Sequence, residues 1–340
     1  MADQSTASVQ RPTRLHFAGV GLLVFAIMTW LWPDFVWNGA VFTVEGLIAV
    51  APLVVPGILL TAWIMASGAD KIISRAFEGH MARAILAAAA IGAITPVCGV
   101  TVLPLMVGLL AAGVPLAPVM AFWLSSPVTD PAMLATTAAT LGLAFAIGKT
   151  VAAFGLGLFG GTVTAFLTAG KSGQSALRKN GLASSLKTRT CCGAASFSPR
   201  VWMNADRRES FFRQGFATTR LILICLIPAF FAEFALNQAL TPGSLAVYVG
   251  ADKWWAIPAA VFVGAPAYID GYAALPLTRG LIDNGMSPGA AMAFLVSGGV
   301  VSIWGALAIF PVLRLRPFLL YLALAITGSL LAGYAFSWVY

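Results

Sequence analysis

Nine stretches of the 340-residue chain are long and apolar enough to enter a bilayer: Leu15 to Trp32, then roughly 38–66, 84–113, 116–142, 145–168, 215–236, 254–285, 287–311 and 317–340. A crossing helix needs about 20 such residues, so the fold class is an all-α polytopic membrane protein. Only 9% of the residues are charged, whereas a soluble domain carries about a quarter. Many of the 34 Gly and 19 Pro fall inside the apolar stretches. Helix breakers are tolerated there when the freed backbone groups line a cavity or meet a neighbour, a pattern that favours a transporter over a simple anchor.

Charge gives the chain a direction. Residues 170–214 hold Lys171, Arg178, Lys179, Lys187, Arg189, Arg200, Arg207, Arg208 and Arg213 against Asp206 and Glu209, and so supply +7 of the net charge of +8. One basic loop of this kind marks the cytoplasmic side and argues against a nucleic-acid partner. Arg11 and Arg14 precede the first apolar run as in a signal peptide, but Trp30, Trp32 and Trp37 follow it instead of a small-residue cleavage pattern, which indicates a membrane helix ending in an interfacial aromatic belt. The organisation expected is an N-terminal tail with a first transmembrane helix (1–36), a first repeat (37–169), the basic cytoplasmic loop (170–214) and a second repeat (215–340). The four Cys contain no CxxC pair, and the two His, His16 and His80, flank apolar runs. No zinc site of the hydrolase type and no cofactor are expected.

The repeat rests on matches 172 residues apart. Leu103-Pro104-Leu105 corresponds to Leu275-Pro276-Leu277, Gly108-Leu109 to Gly280-Leu281, Gly113 to Gly285, Met120-Ala121-Phe122 to Met292-Ala293-Phe294 and Ser125 to Ser297. In the same register Gly92-Ala93 matches Gly264-Ala265, Gly99 matches Gly271 and Pro56 matches Pro228. If the N-terminus, the loop 67–83, the loop 170–214 and the Arg314/Arg316 turn are all inside, segments 84–113 and 254–285 must each enter and leave on one side. The expectation is two inverted repeats, with about seven crossings and two re-entrant hairpins. The alternative is nine crossings with parallel repeats, which puts the basic loop outside.

Broken helices expose unpaired backbone groups, and midplane binding sites form at such breaks. Three stretches are candidates: Thr95-Pro96-Val97-Cys98-Gly99-Val100-Thr101, Ser125-Ser126-Pro127-Val128-Thr129-Asp130-Pro131, and Pro266 through Tyr268, Asp270, Gly271 and Tyr272. The substrate-lining set drawn from them is Thr95, Pro96, Cys98, Gly99, Thr101, Ser125, Ser126, Thr129, Tyr268 and Tyr272. A carboxylate near the bilayer centre normally marks an ion or proton route, which makes Asp130 and Asp270 candidates for proton coupling; Asp130 before Pro131 also fits a helix cap. Glu45, Lys149, Glu233 and Arg279 are read as snorkelling residues near segment ends, which leaves no buried Lys or Arg to neutralise the two acids. Cys225 reads as packing.

The run Pro96-Val97-Cys98-Gly99 with Leu103-Pro104-Leu105, Gly113-Val114-Pro115, and Ala121-Phe122 before Ser125-Ser126-Pro127 resembles the predicted permease family that includes the bacterial organoarsenical efflux permeases and related metal exporters. Gly264-Ala265-Pro266-Ala267-Tyr268, Pro276, Gly285 and Ala293-Phe294-Leu295 carry the resemblance into the second half. It implies a multi-pass permease of the bacterial inner membrane that exports a metalloid or soft metal ion, with Cys98 as a contact. Thiolates suit soft ions, although a buried Cys also serves as a small packing residue. Cys191 and Cys192 in the basic loop could capture a thiophilic ion, or be incidental.

A secondary transporter fits the repeat, the breaks and the acids. No nucleotide-binding P-loop is present in the sequence, so an ion gradient or an external ATPase would drive it. Two other readings stay open: a membrane enzyme using the Asp pair, and a permease for another small ion or a sulfur compound. The expected partners are the small substrate and the lipid bilayer, and a homo-oligomer is compatible with both.

Overall fold

The computed structural model describes residues 29–69, 80–95, 102–111, 114–129, 131–169, 176–178, 197–239, 254–264, 274–301, 310 and 313–340. The first half contains helices α1 (Pro33–Ser67), α2 (Met81–Ile94), α3 (Leu103–Ala111), α4 (Leu116–Ser125, prolonged by a 3-10 turn at Ser126–Val128), α5 (Pro131–Leu141) and α6 (Leu143–Thr168). The second contains α7 (Ala205–Ala239), α8 (Ala256–Gly264), α9 (Ala274–Asp283), α10 (Pro288–Val300) and α11 (Leu315–Val339). Among the described residues the one extended pairing is an isolated bridge between Leu177 and Leu313. By length and composition α6, α7 and α11 can each cross a membrane. So can α1 if its two arms form one span; they meet at 57°, where Pro52 and Pro56 interrupt the hydrogen-bond ladder.

The 172-residue register reaches well beyond the motif. Shifting α1 by 172 gives the bounds of α7, and shifting Leu116–Val128 gives those of α10. Packing recurs in the same register. A Cβ on Gly92 would collide with Ser125 Oγ and lie 2.8 Å from the Phe122 carbonyl; on Gly264 it would lie 2.5 Å from Ser297 Oγ and 2.8 Å from the Phe294 carbonyl. Gly161 is seated on Ile85 and Ala121, and its equivalent Gly333 on Ile257 and Ala293. These glycines let the helices approach closely, the usual packing of membrane helices.

Those contacts fix directions. Gly161 meets Ile85 and Ala121 while Gly157 meets Ala89 and Ser125, so α2 and α4 run parallel to each other and antiparallel to α6. The end of α2 lies level with the end of the α4 turn, where the Thr129 hydroxyl donates to the Ala93 carbonyl. The chain between them, which includes α3, must therefore travel back to the level at which α4 starts. Helix α5 continues in the direction of α4, because Lys149 of α6 reaches Met133, beyond the 3-10 turn at Ser126–Val128. Gly142, at φ +101°, then turns the chain into α6.

Equivalent helices from the two halves pack antiparallel. In the α1/α7 pair Phe35 meets Phe234, Gly39 meets Phe231, Gly46 meets Phe230 and Ser67 meets Arg207. In the α6/α11 pair Phe145 meets Tyr340, Gly148 meets Phe336 and Leu156 meets Gly328. Leu156 and Gly328 are themselves equivalent residues. So are Pro127 and Gly299, where a Cβ on the glycine would stand 2.9 Å from the Pro127 carbonyl.

The two ends of the bundle differ in chemistry. At one end Arg207 Nη1 and the Ser198 N–H both donate to the Ser67 carbonyl, at 2.7 and 3.1 Å, Arg178 Nε donates to the Leu313 carbonyl and the Arg314 N–H to the Ala176 carbonyl. The opposite end carries exposed Trp30, Trp32, Trp37, Trp254, Trp338 and Tyr340.

Two expectations about elements change. The helix read as 215–236 begins at Ala205, because the Asn204 side chain accepts from the Asp206 and Arg207 N–H groups and caps it. Lys149 does not snorkel: it is the seventh residue of α6 and 2% exposed, because the Gly142 turn folds α5 back over it. The apolar run before Thr29 lies outside the described residues.

Candidate functional site

Two of the three predicted breaks can be followed to the point where the helix stops. The residue before a proline is forced out of the helical region, and Thr95, before Pro96, is extended at φ −80°, ψ 121°. Its N–H donates to the Ile91 and Gly92 carbonyls, and its hydroxyl reaches Ile91 O at 2.5 Å. The last carbonyls of a helix lack partners in their own ladder. Thr129, buried, satisfies one of them with its 2.8 Å hydrogen bond to Ala93 O. At the second break Ser125 Oγ donates to the Ala121 and Phe122 carbonyls at 2.9 and 3.1 Å. Ser297 Oγ makes the equivalent bond to Phe294 O, also 3.1 Å. Ser125, Ser126 and Thr129 are all buried and lie with the end of α2 at the junction of the two halves, next to the Pro127/Gly299 contact.

Pro96, Cys98, Gly99, Thr101, Asp130, Tyr268, Asp270 and Tyr272 lie outside the described residues, as do Cys191 and Cys192. The structure therefore joins Thr95, Ser125, Ser126 and Thr129 and describes the helix ends that flank the rest. In the second half α8 ends at Gly264, before Ala265-Pro266, and α9 begins at Ala274.

Three buried polar side chains at this junction are not signalled by local sequence pattern. Lys149 Nζ stands 2.8 Å from Met133 Sδ. Tyr321, the residue equivalent to Lys149, donates its hydroxyl to the Val300 carbonyl at the end of α10. Trp123 stacks on Tyr321 with ring centroids 4.8 Å apart, joining α4 to α11, and its Nε1 is buried without a hydrogen-bond partner among the described residues. The usable signal for Lys149 was the register itself: it aligns a lysine with a tyrosine deep inside an apolar segment. Glu45 and Arg279 are not buried, and Arg279 pairs with Asp283 at 2.8 Å, as suits residues at a polar boundary.

Residues 38–338 match the family ArsP_1, described as predicted permease. A 135-residue stretch is 30% identical to the UPF0718 protein MJ0584 of Methanocaldococcus jannaschii, covering 40% of this chain and 37% of that protein. No solved structure matches the chain.

Proposed function

The chain belongs to the ArsP_1 family of predicted permeases, and from that premise we propose that it is a proton-coupled secondary exporter of a metalloid or metal species such as an organoarsenical. The observation that carries the transport reading is the antiparallel packing of equivalent helices around helix breaks that meet at Pro127 and Gly299. Inverted repeats with discontinuous helices at their interface are a transporter plan, with the substrate held at the breaks. In this reading segments 84–113 and 254–285 are re-entrant, the halves are inverted repeats, and rocking of one half against the other exposes the junction to each side in turn. The basic end faces the cytoplasm of a bacterial inner membrane, and the tryptophan-rich end lies at the outer interface.

Cys98 supplies a thiolate to a soft substrate, and its equivalent position in the second half is Asp270. Asp270 carries the coupling proton, with Asp130 as the second acid of the pathway. The test is flux of organoarsenicals, arsenite or copper in proteoliposomes with and without an imposed pH gradient. Wild-type flux should follow the gradient. Asp270→Asn, which keeps shape and hydrogen bonds but cannot carry a proton, should lose the gradient-driven component. Cys98→Ser should lose most transport of soft ions while remaining inserted. Gradient-indifferent flux together with an active Asp270→Asn protein would remove proton coupling from the proposal.

A further inference from the structure

The indole of Trp123 is the polar group that the transport reading leaves unused. Its side chain is 1% exposed, and Nε1 is buried with no hydrogen-bond partner among the described residues. Tryptophan is a donor only, and a buried donor left without an acceptor costs more than a made bond contributes. A native chain seldom keeps such a group without a use for it.

The packing of α4 shows where this donor is held. Leu124 fills the space over Gly160 of α6, and the Phe122 carbonyl presses on Gly92 of α2. Trp123 and Pro127 are one turn apart and share a different face, the one turned to the second half. Trp123 stacks on Tyr321 of α11, whose hydroxyl donates to the Val300 carbonyl at the end of α10, while the Pro127 carbonyl meets the neighbouring Gly299. The indole therefore lies between the two halves, one turn before the break in α4 at which buried Ser126 and Thr129 follow.

The internal repeat separates this donor from packing. Met120-Ala121-Phe122 and Ser125 recur as Met292-Ala293-Phe294 and Ser297, yet the residue equivalent to Trp123 is Leu295. In the second half a buried leucine fills the same place in the motif. The N–H is thus an addition to one half only.

Chemistry then selects the ligand. The hydroxyls of Ser125, Thr129, Ser297 and Tyr321 already donate to backbone carbonyls, so they offer a ligand lone pairs and no proton. The indole N–H offers the proton, and the positive end of that bond repels a bare cation. We propose that Trp123 Nε1 donates a hydrogen bond to an oxygen of the transported species, which is an oxygen-bearing metalloid acid or its anion and not a naked metal ion. This rests on the transport reading and narrows it: movement of the halves admits the substrate to the junction, and Trp123 reads its oxygen.

The experiment uses the full chain in detergent with tryptophan isotope-labelled at the indole nitrogen. In a second protein Trp123 alone is replaced by benzothienylalanine, which keeps the bicyclic shape and puts sulfur in place of the N–H; the resonance it lacks is that of Trp123. Saturating methylarsonous acid, arsenous acid or methylarsonate should move this resonance downfield, and copper(I) should leave it in place. The benzothienyl protein should melt with the wild type, because no bond within the protein is lost, and should bind the oxygen-bearing probe roughly tenfold more weakly, the effect of one hydrogen bond. A melting temperature several degrees lower would show that the N–H is already held inside the protein and would overturn the proposal. So would a resonance unmoved by all three oxygen-bearing probes, or one that copper(I) moves as far. Vesicle flux of the same probes separates the two readings: flux with an unmoved resonance removes the role of Trp123 alone, whereas absence of both flux and binding removes the transport of these species as well.

Discussion

Gly92 and Gly264 are equivalent glycines pressed against equivalent serines, and both contacts meet backbone as well as side chain. Neither site has room for a larger residue, because the Phe122 and Phe294 carbonyls cannot rotate away. Gly92→Val and Gly264→Val should each destabilise the protein by about 1–3 kcal/mol through overpacking, measured as a lowered melting temperature. Gly155→Ala, where nothing lies within 4 Å of an added Cβ, should be neutral in the same assay. A valine at Gly92 with no effect would mean that α2 and α4 do not pack as described. These glycines were legible in the sequence as repeat matches, whereas the burial of Lys149 was not. A position seven residues into an apolar helix looks like a flank until the Gly142 turn lays another helix over it, and that is a tertiary event which local periodicity does not encode.

Helix breaks were readable at Thr95-Pro96 and at Ser126-Pro127, because proline acts on its own and the preceding residue regardless of what packs nearby, whereas the 57° bend of α1 near Pro52 and Pro56 was not singled out. The start of α7 was missed for the opposite reason. Charge suggested a loop, yet Asn204 followed by Asp206 is an N-cap with an acid in the first turn. The direction of the helices belongs to the same scale and can be tested by cross-linking in a cysteine-free background. Gly39→Cys with Phe231→Cys should form a disulfide between α1 and α7, because ring atoms of Phe231 lie within 3.0 Å of a Cβ built on Gly39. Gly39→Cys with Phe211→Cys, the partner expected if the equivalent helices ran side by side in parallel, should not. The reverse result would discard the antiparallel arrangement.

At the scale of the whole molecule, the basic loop and the Arg314 turn are fastened together through Arg178 and Leu313, far from the tryptophan-bearing end. Topology can therefore be read with two probes. A cysteine at Ala251 should be modified by an impermeant reagent added outside intact cells, and one at Ser184 should react only after the membrane is permeabilised; labelling of both from outside, or the reverse pattern, would rule out the proposed orientation. Charge was what set the basic loop and the Arg314 turn on one side in the sequence, and Arg178 does meet Leu313 there. That α2 ends level with Thr129 became visible only in the hydrogen bond between Thr129 and Ala93.

The antiparallel pairs α1/α7 and α6/α11 also change the status of the polypeptide link between the halves. Each half presents to the other a face that meets its own counterpart, as at Leu156 with Gly328 and Pro127 with Gly299. Such packing has the form of a dimer interface carried on one polypeptide. Departures from that symmetry, such as lysine in one half against tyrosine in the other, are changes that a true homodimer could not make in one subunit alone. Fusion of the two halves is what makes such specialisation available.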